Sequence, residues 1–87
     1  MSYEVRLRRV AQKELDALSG RDYEMIATAI SKLEQNPRPK RTKKLAESGL
    51  WRVRVGYYRV VYAIDDEAQS VIIVRIARRK EDTYKKL

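Results

Sequence analysis

The spacing of apolar side chains changes from helical to alternating at Gly49, and that change limits the fold to a mixture of helices and strands in a fixed order. Before it, Val10, Ala11, Leu15 and Leu18 recur at helical intervals, and Tyr23, Ile26, Ala27, Ile30 and Leu33 form a second stripe at spacings of three and four. After it the period is two: Leu50–Val55 alternates apolar with basic residues, Tyr57–Ile64 reads as a second strand, and Val71–Ile76 is nearly all apolar, as in a central strand. A helix with one apolar stripe needs a surface to cover, and a strand with one apolar face supplies it.

The flanking signals complete the layout. Tyr3–Leu7 alternates briefly and reads as a short strand. Ser19, three positions before Asp22, resembles an N-cap pair that starts the second helix, and Asn36-Pro37 ends it, because a residue before proline is pushed out of the helical region. Arg38 to Ser48 is a basic connector anchored by Leu45, and Asp65 to Ser70 is a polar turn. Three consecutive acids, Asp65, Asp66 and Glu67, read as that turn rather than as a metal site, since no second acidic cluster accompanies them. The order is β-α-α-β-β-β with a short C-terminal helix or tail. It describes one α+β domain over residues 1–87, an N-terminal strand and a helical hairpin packed on a small, mainly antiparallel sheet.

Composition narrows the chemistry. With no cysteine there is no disulfide framework or thiol nucleophile, and with no histidine the usual proton shuttle and the commonest metal ligand are missing. Ser-His and Cys-His triads and zinc hydrolysis in their usual forms are excluded, and no metal or cofactor is expected. No uncharged run is longer than Met25 to Ser31, which is far below the ~20 residues of a membrane span. No apolar signal core follows Met1, and a reduced, cytoplasmic setting with no membrane partner is expected. The net charge of +8 is segregated. Residues 1–36 are neutral, residues 37–59 carry eight bases against Glu47 alone, residues 60–74 carry three acids and no base, and residues 75–87 carry six bases and two acids. Segregated positive potential points to nucleic acid, an anionic membrane surface or an acidic protein.

Strand alternation locates the charge. Trp51, Val53 and Val55 share one face of their strand and Arg52 and Arg54 the other. If Gly56-Tyr57 is a two-residue hairpin loop, Val55 pairs with Tyr58 and Arg54 stands opposite Arg59. Like charges in such a pair disfavour the free fold, and Glu47 is the only acid nearby, so Arg52, Arg54 and Arg59 form a candidate phosphate cradle. Arg78, Arg79 and Lys80 extend it from the C-terminal segment. Tyr84, the only aromatic after Tyr62, is placed to stack on a base, to handle a proton, or to anchor the tail. Lys40, Arg41, Lys43 and Lys44 read as a phosphate-contacting stretch or a solvated connector. The facing of Arg75 is open.

Across nearly its whole length the chain resembles the RelE-type toxins of the RelE/ParE toxin–antitoxin superfamily. The resemblance is carried by Leu50–Val55, by Gly56–Tyr62 with its Tyr-Arg-Val-Val-Tyr core, by the segment from Ile76 to Tyr84, and by the helix-Asn-Pro-Arg junction at residues 36–38. It implies a ribosome-dependent mRNA endonuclease, with 2′-OH attack on the adjacent phosphate and no metal. Arg52, Arg54, Arg59, Arg79 and Tyr84 match the family's catalytic positions, with Arg78 as the alternative to Arg79. Where relatives often carry lysine, this chain has arginine at 52 and 54. Arg59 and Arg79 would stabilise the phosphorane-like charge, Arg52 and Arg54 would hold phosphates and assist proton transfer, and Tyr84 would orient the 2′-OH or act as base. The implied partners are a cognate acidic RelB-like antitoxin, the ribosome and mRNA, with DNA reached only indirectly through the antitoxin complex. A ParE-like inhibitor of DNA gyrase and a non-catalytic nucleic-acid-binding module are the alternatives.

Overall fold

The computed structural model describes residues 2–78. Its elements are β1 (Glu4–Leu7), α1 (Arg9–Asp16), α2 (Gly20–Lys32), β2 (Thr42–Lys44), β3 (Trp51–Val55), β4 (Tyr58–Asp65) and β5 (Ser70–Arg78). One five-stranded sheet runs in the order β1-β5-β4-β3-β2. Three of its four pairings are antiparallel, and β1 lies parallel to β5 from Glu4↔Ser70 to Leu7↔Ile73.

The helical hairpin covers one face. Ala11 and Leu15 of α1, with Ile26, Ile30 and the following Leu33 of α2, pack on Val53, Tyr58, Val60, Tyr62, Val71, Ile73 and Ile76. The stripes are narrower than their periodicity implies, because Val10 and Tyr23 are 53% and 41% exposed. Ser19 holds the extended N-cap backbone, yet its hydroxyl makes no capping bond, and the Asp22 carboxylate instead accepts a hydrogen bond from Tyr58 Oη at 2.9 Å. The expected Ser19–Asp22 pair is therefore replaced by a tie between α2 and β4. The second helix also stops before its proline. It ends at Lys32, and Asn36 Oδ1 accepts the Arg38 amide across Pro37 at 3.0 Å.

The connector holds an element that its composition conceals. Thr42–Lys44 pairs antiparallel with β3 as an edge strand, entered through Arg41 at φ 72°. An edge strand needs no alternation, and lysine is a common device for keeping such an edge from pairing further.

The β3–β4 hairpin has the expected register, Val55↔Tyr58 and Arg54↔Arg59. Its loop turns through Gly56 at φ 59°, with no positive φ at Tyr57, as in a type II′ turn. The positive φ favours glycine, and a Cβ at residue 56 would also displace the end of the Met25 side chain, whose Cε would stand 2.8 Å away.

Between β4 and β5 the register shifts, from Val61↔Arg75 to Tyr62↔Ile73. Glu14 of α1 closes this bulge. One carboxylate oxygen accepts the Ile76 amide at 2.7 Å, and the other accepts Arg75 Nε at 3.0 Å. Arg75 is thus engaged by an acid, which answers the question of its facing.

Candidate nucleic-acid interface

The face away from the helices is assembled by register. In one row across the sheet Lys43 pairs with Arg52 and Arg52 with Val61, and the row ends at the bulge, where Arg75 opposite Val61 is held by Glu14 of α1. In the neighbouring row Arg54 pairs with Arg59, and Arg59 with Ala77. Two directly opposed like-charge pairs, Lys43–Arg52 and Arg54–Arg59, therefore sit side by side, with Arg54 exposed and Arg52 and Arg59 half-buried. Such pairs cost stability in the free sheet. What they provide is a set of oriented donors, because guanidinium stays charged and its planar fork fits two phosphate oxygens. Val61, beside Arg52, and Ala77, beside Arg59, are buried and give these rows apolar members.

The structure brings together Lys43, Arg52, Arg54 and Arg59 and separates others from them. Lys44 lies one residue along β2 and faces the helix side, its ammonium 5.7 Å from the Trp51 ring centre. Lys40 and Arg41 are exposed in the turn that enters β2. Arg78 pairs with Tyr58 at the end of β5, with its guanidinium carbon 5.9 Å from that ring, so it also belongs to the helix side. Arg79, Lys80 and Tyr84 lie outside the described residues.

Asp65 and Asp66 are engaged within the fold. Asp66 accepts both terminal nitrogens of Arg38, at 3.1 and 2.8 Å, and Tyr3 Oη at 2.7 Å. The Arg38 and Tyr3 hydrogen bonds hold the Asp66 carboxyl down at about 2. Arg38 in turn covers Trp51, with its guanidinium carbon 4.7 Å from the ring centre. One latch thus joins the segment before β1, the connector, β3 and the β4–β5 turn. Asp65 accepts the Ala68 amide within that turn. Among the described residues no group of three or more His, Cys, Asp or Glu is arranged to hold a metal ion. No helix there is long and apolar enough to cross a membrane.

The two inward tyrosines of β4 are also structural. Burial, and then the Asp22 hydrogen bond, push the Tyr58 phenol upward, and burial does the same to Tyr62, whose Oη donates to the Pro37 carbonyl at 2.7 Å. Neither is suited to giving up a proton at neutral pH.

Sequence reasoning did not find Glu14, the Arg38–Asp66 latch or Lys43 as the partner of Arg52. Each depends on a contact between distant segments. Alternation along Thr42–Lys44 was the one available signal, and three polar residues do not display it.

Comparison with known proteins agrees with this architecture. The family described as the ParE toxin of the type II toxin-antitoxin system parDE matches residues 5–83. The RelE1 toxin of Methanocaldococcus jannaschii is 33% identical, over 98% of each chain. A chain of the archaeal RelE–RelB complex from Pyrococcus horikoshii superposes with a TM-score of 0.81 at 28% identity, over 93% of this chain and 99% of that one. A chain of the toxin–antitoxin complex RelBE2 from Mycobacterium tuberculosis gives 0.80 at 30% identity, over 91% and 100%.

Proposed function

The chain belongs to the RelE/ParE toxins of type II toxin–antitoxin systems, and from that membership we propose that it is a ribosome-dependent mRNA endonuclease acting in the cytoplasm. The observation that carries the reading is the cross-strand pair Arg54–Arg59 beside Lys43–Arg52. A fold that accepts two like-charge pairs on one face gains from an anion bound between them.

RNA brings its own nucleophile. The 2′-oxygen bonds to the adjacent phosphorus as its proton leaves, and the bond from phosphorus to the 5′-oxygen breaks as that oxygen takes up a proton. The products are a 2′,3′-cyclic phosphate and a 5′-hydroxyl. Arg59 and Arg79 stabilise the extra charge on the phosphoryl oxygens. Arg52 and Arg54 grip the flanking phosphates. Arginine is a weak proton donor and a poor base, so proton transfer falls to Tyr84, with ribosomal groups completing it. Lys40, Arg41, Lys43, Lys44, Arg78 and Lys80 contribute sequence-independent attraction to RNA.

The partner in this reading is an acidic, RelB-like antitoxin whose apolar and acidic segment folds on binding and covers the cationic face. Any DNA contact is made through that antitoxin. Toe-printing on translating ribosomes tests the reading. Wild type produces cleavage stops, and Arg59→Ala and Tyr84→Phe lower their yield at least ~100-fold, the scale of losing one transition-state donor. Undiminished cutting by both variants would overturn the site assignment. The match to the ParE description favours one second reading, inhibition of DNA gyrase. It predicts blocked supercoiling with mRNA intact.

A further inference from the structure

The doublet Tyr57-Tyr58 is split by the hairpin. Tyr58 is 4% exposed and bonded to Asp22, whereas Tyr57 is 78% exposed, the most open of the large apolar side chains among the described residues. A ring left in water adds little to the core, so its position has to be explained by something outside it.

Two features make that position informative. The turn is constrained: Gly56 takes φ 59°, a conformation that side chains rarely adopt, and the Met25 side chain of α2 packs against it. Tyr57 therefore projects from a fixed point, which lowers the ordering cost of using it in binding. The turn also adjoins the arginine pair. Val55↔Tyr58 is the last ladder pair before it, and Arg54↔Arg59 is the next. At about 3.3 Å per residue, Tyr57 stands about 7 Å along the chain from Arg59. A nucleotide whose phosphate rests between Arg54 and Arg59 has a neighbouring base within reach of that ring.

We infer that Tyr57 is a stacking platform for one base of a single-stranded RNA whose phosphate is held by Arg54 and Arg59. The inference rests on the RNA reading above and adds a residue that clamps the strand without touching the reacting atoms. Stacking needs a splayed base, so the ligand class is single-stranded rather than duplex RNA.

Fluorescence anisotropy with a short single-stranded RNA tests it, alongside the same strand carrying one abasic ribose. Because Tyr57 is exposed, its variants keep the fold, which circular dichroism verifies. Tyr57→Ala weakens binding of the intact strand by about tenfold and leaves the salt slope unchanged. Tyr57→Phe and Tyr57→Trp retain wild-type affinity. On the strand whose missing base faces the platform, Tyr57→Ala and wild type bind equally. Arg54→Ala instead lowers the slope by about 0.7. Wild-type binding with no loss in Tyr57→Ala, or an equal loss on every strand, overturns the stacking role alone. Loss of affinity for an acidic peptide but not for RNA overturns it in favour of a protein contact. No salt-dependent RNA binding by wild type overturns this inference, whereas the RNA reading itself falls only if mRNA also stays intact on translating ribosomes.

Discussion

Arg38 and Arg54 are chemically identical and differ in every consequence. Arg38 is held by both oxygens of Asp66 and lies over Trp51, whereas Arg54 stands exposed opposite another arginine. The first ties distant segments together, and the second sets like charge opposite like charge across the ladder. The Asp66 latch has a definite pH signature. Its carboxyl is held at about 2 in the folded protein by the Arg38 and Tyr3 hydrogen bonds, against 3.8 for an unperturbed aspartate. A depressed carboxyl contributes stability in full above its unfolded value, and the contribution is lost as pH falls from about 4 towards 2. Asp66→Asn is therefore less stable than wild type in urea at pH 6, and the gap narrows between pH 4 and pH 2. A gap that stays constant down to pH 2 contradicts the assigned role of the ionised carboxylate.

At the scale of elements, β3 and β4 were legible and β2 and the β5 bulge were not. Leu50–Val55 states its faces through alternation, and the two-residue loop at Gly56-Tyr57 sets the register that opposes Arg54 and Arg59. Thr42–Lys44 has no such pattern, because this edge strand pairs with β3 through its backbone without burying an apolar face of its own. The bulge depends on Glu14, sixty-two residues from the amide it accepts, and no local signal links them. For the same reason the sequence left the facing of Arg75 open, and the structure engages it with Glu14. Glu14→Ala strands the Ile76 amide and the Arg75 guanidinium, both substantially buried, and lowers stability by about 1–3 kcal/mol in denaturant melts. Glu14→Gln keeps an acceptor for the amide and costs less. Equal stability of Glu14→Ala and wild type would remove the bulge closure from the account.

On the whole molecule, the segregation of charge is the feature that the fold turns into a surface. The neutral N-terminal helices cover one side of the sheet, and the basic residues 37–59 supply β2, β3 and the start of β4, so alternation delivers four of their eight cations to the other side. Such a face attracts any polyanion, which is why family membership and a cationic sheet do not by themselves distinguish a nuclease from a gyrase inhibitor. The chemistry of the RNA ends does. Ends recovered from translating ribosomes exposed to the protein should carry 2′,3′-cyclic phosphates and 5′-hydroxyls, should disappear with Arg59→Ala, and should withstand chelation of free divalent ions to the extent that the ribosome remains intact. Intact mRNA under conditions where the same preparation blocks supercoiling by gyrase would contradict the account at its centre.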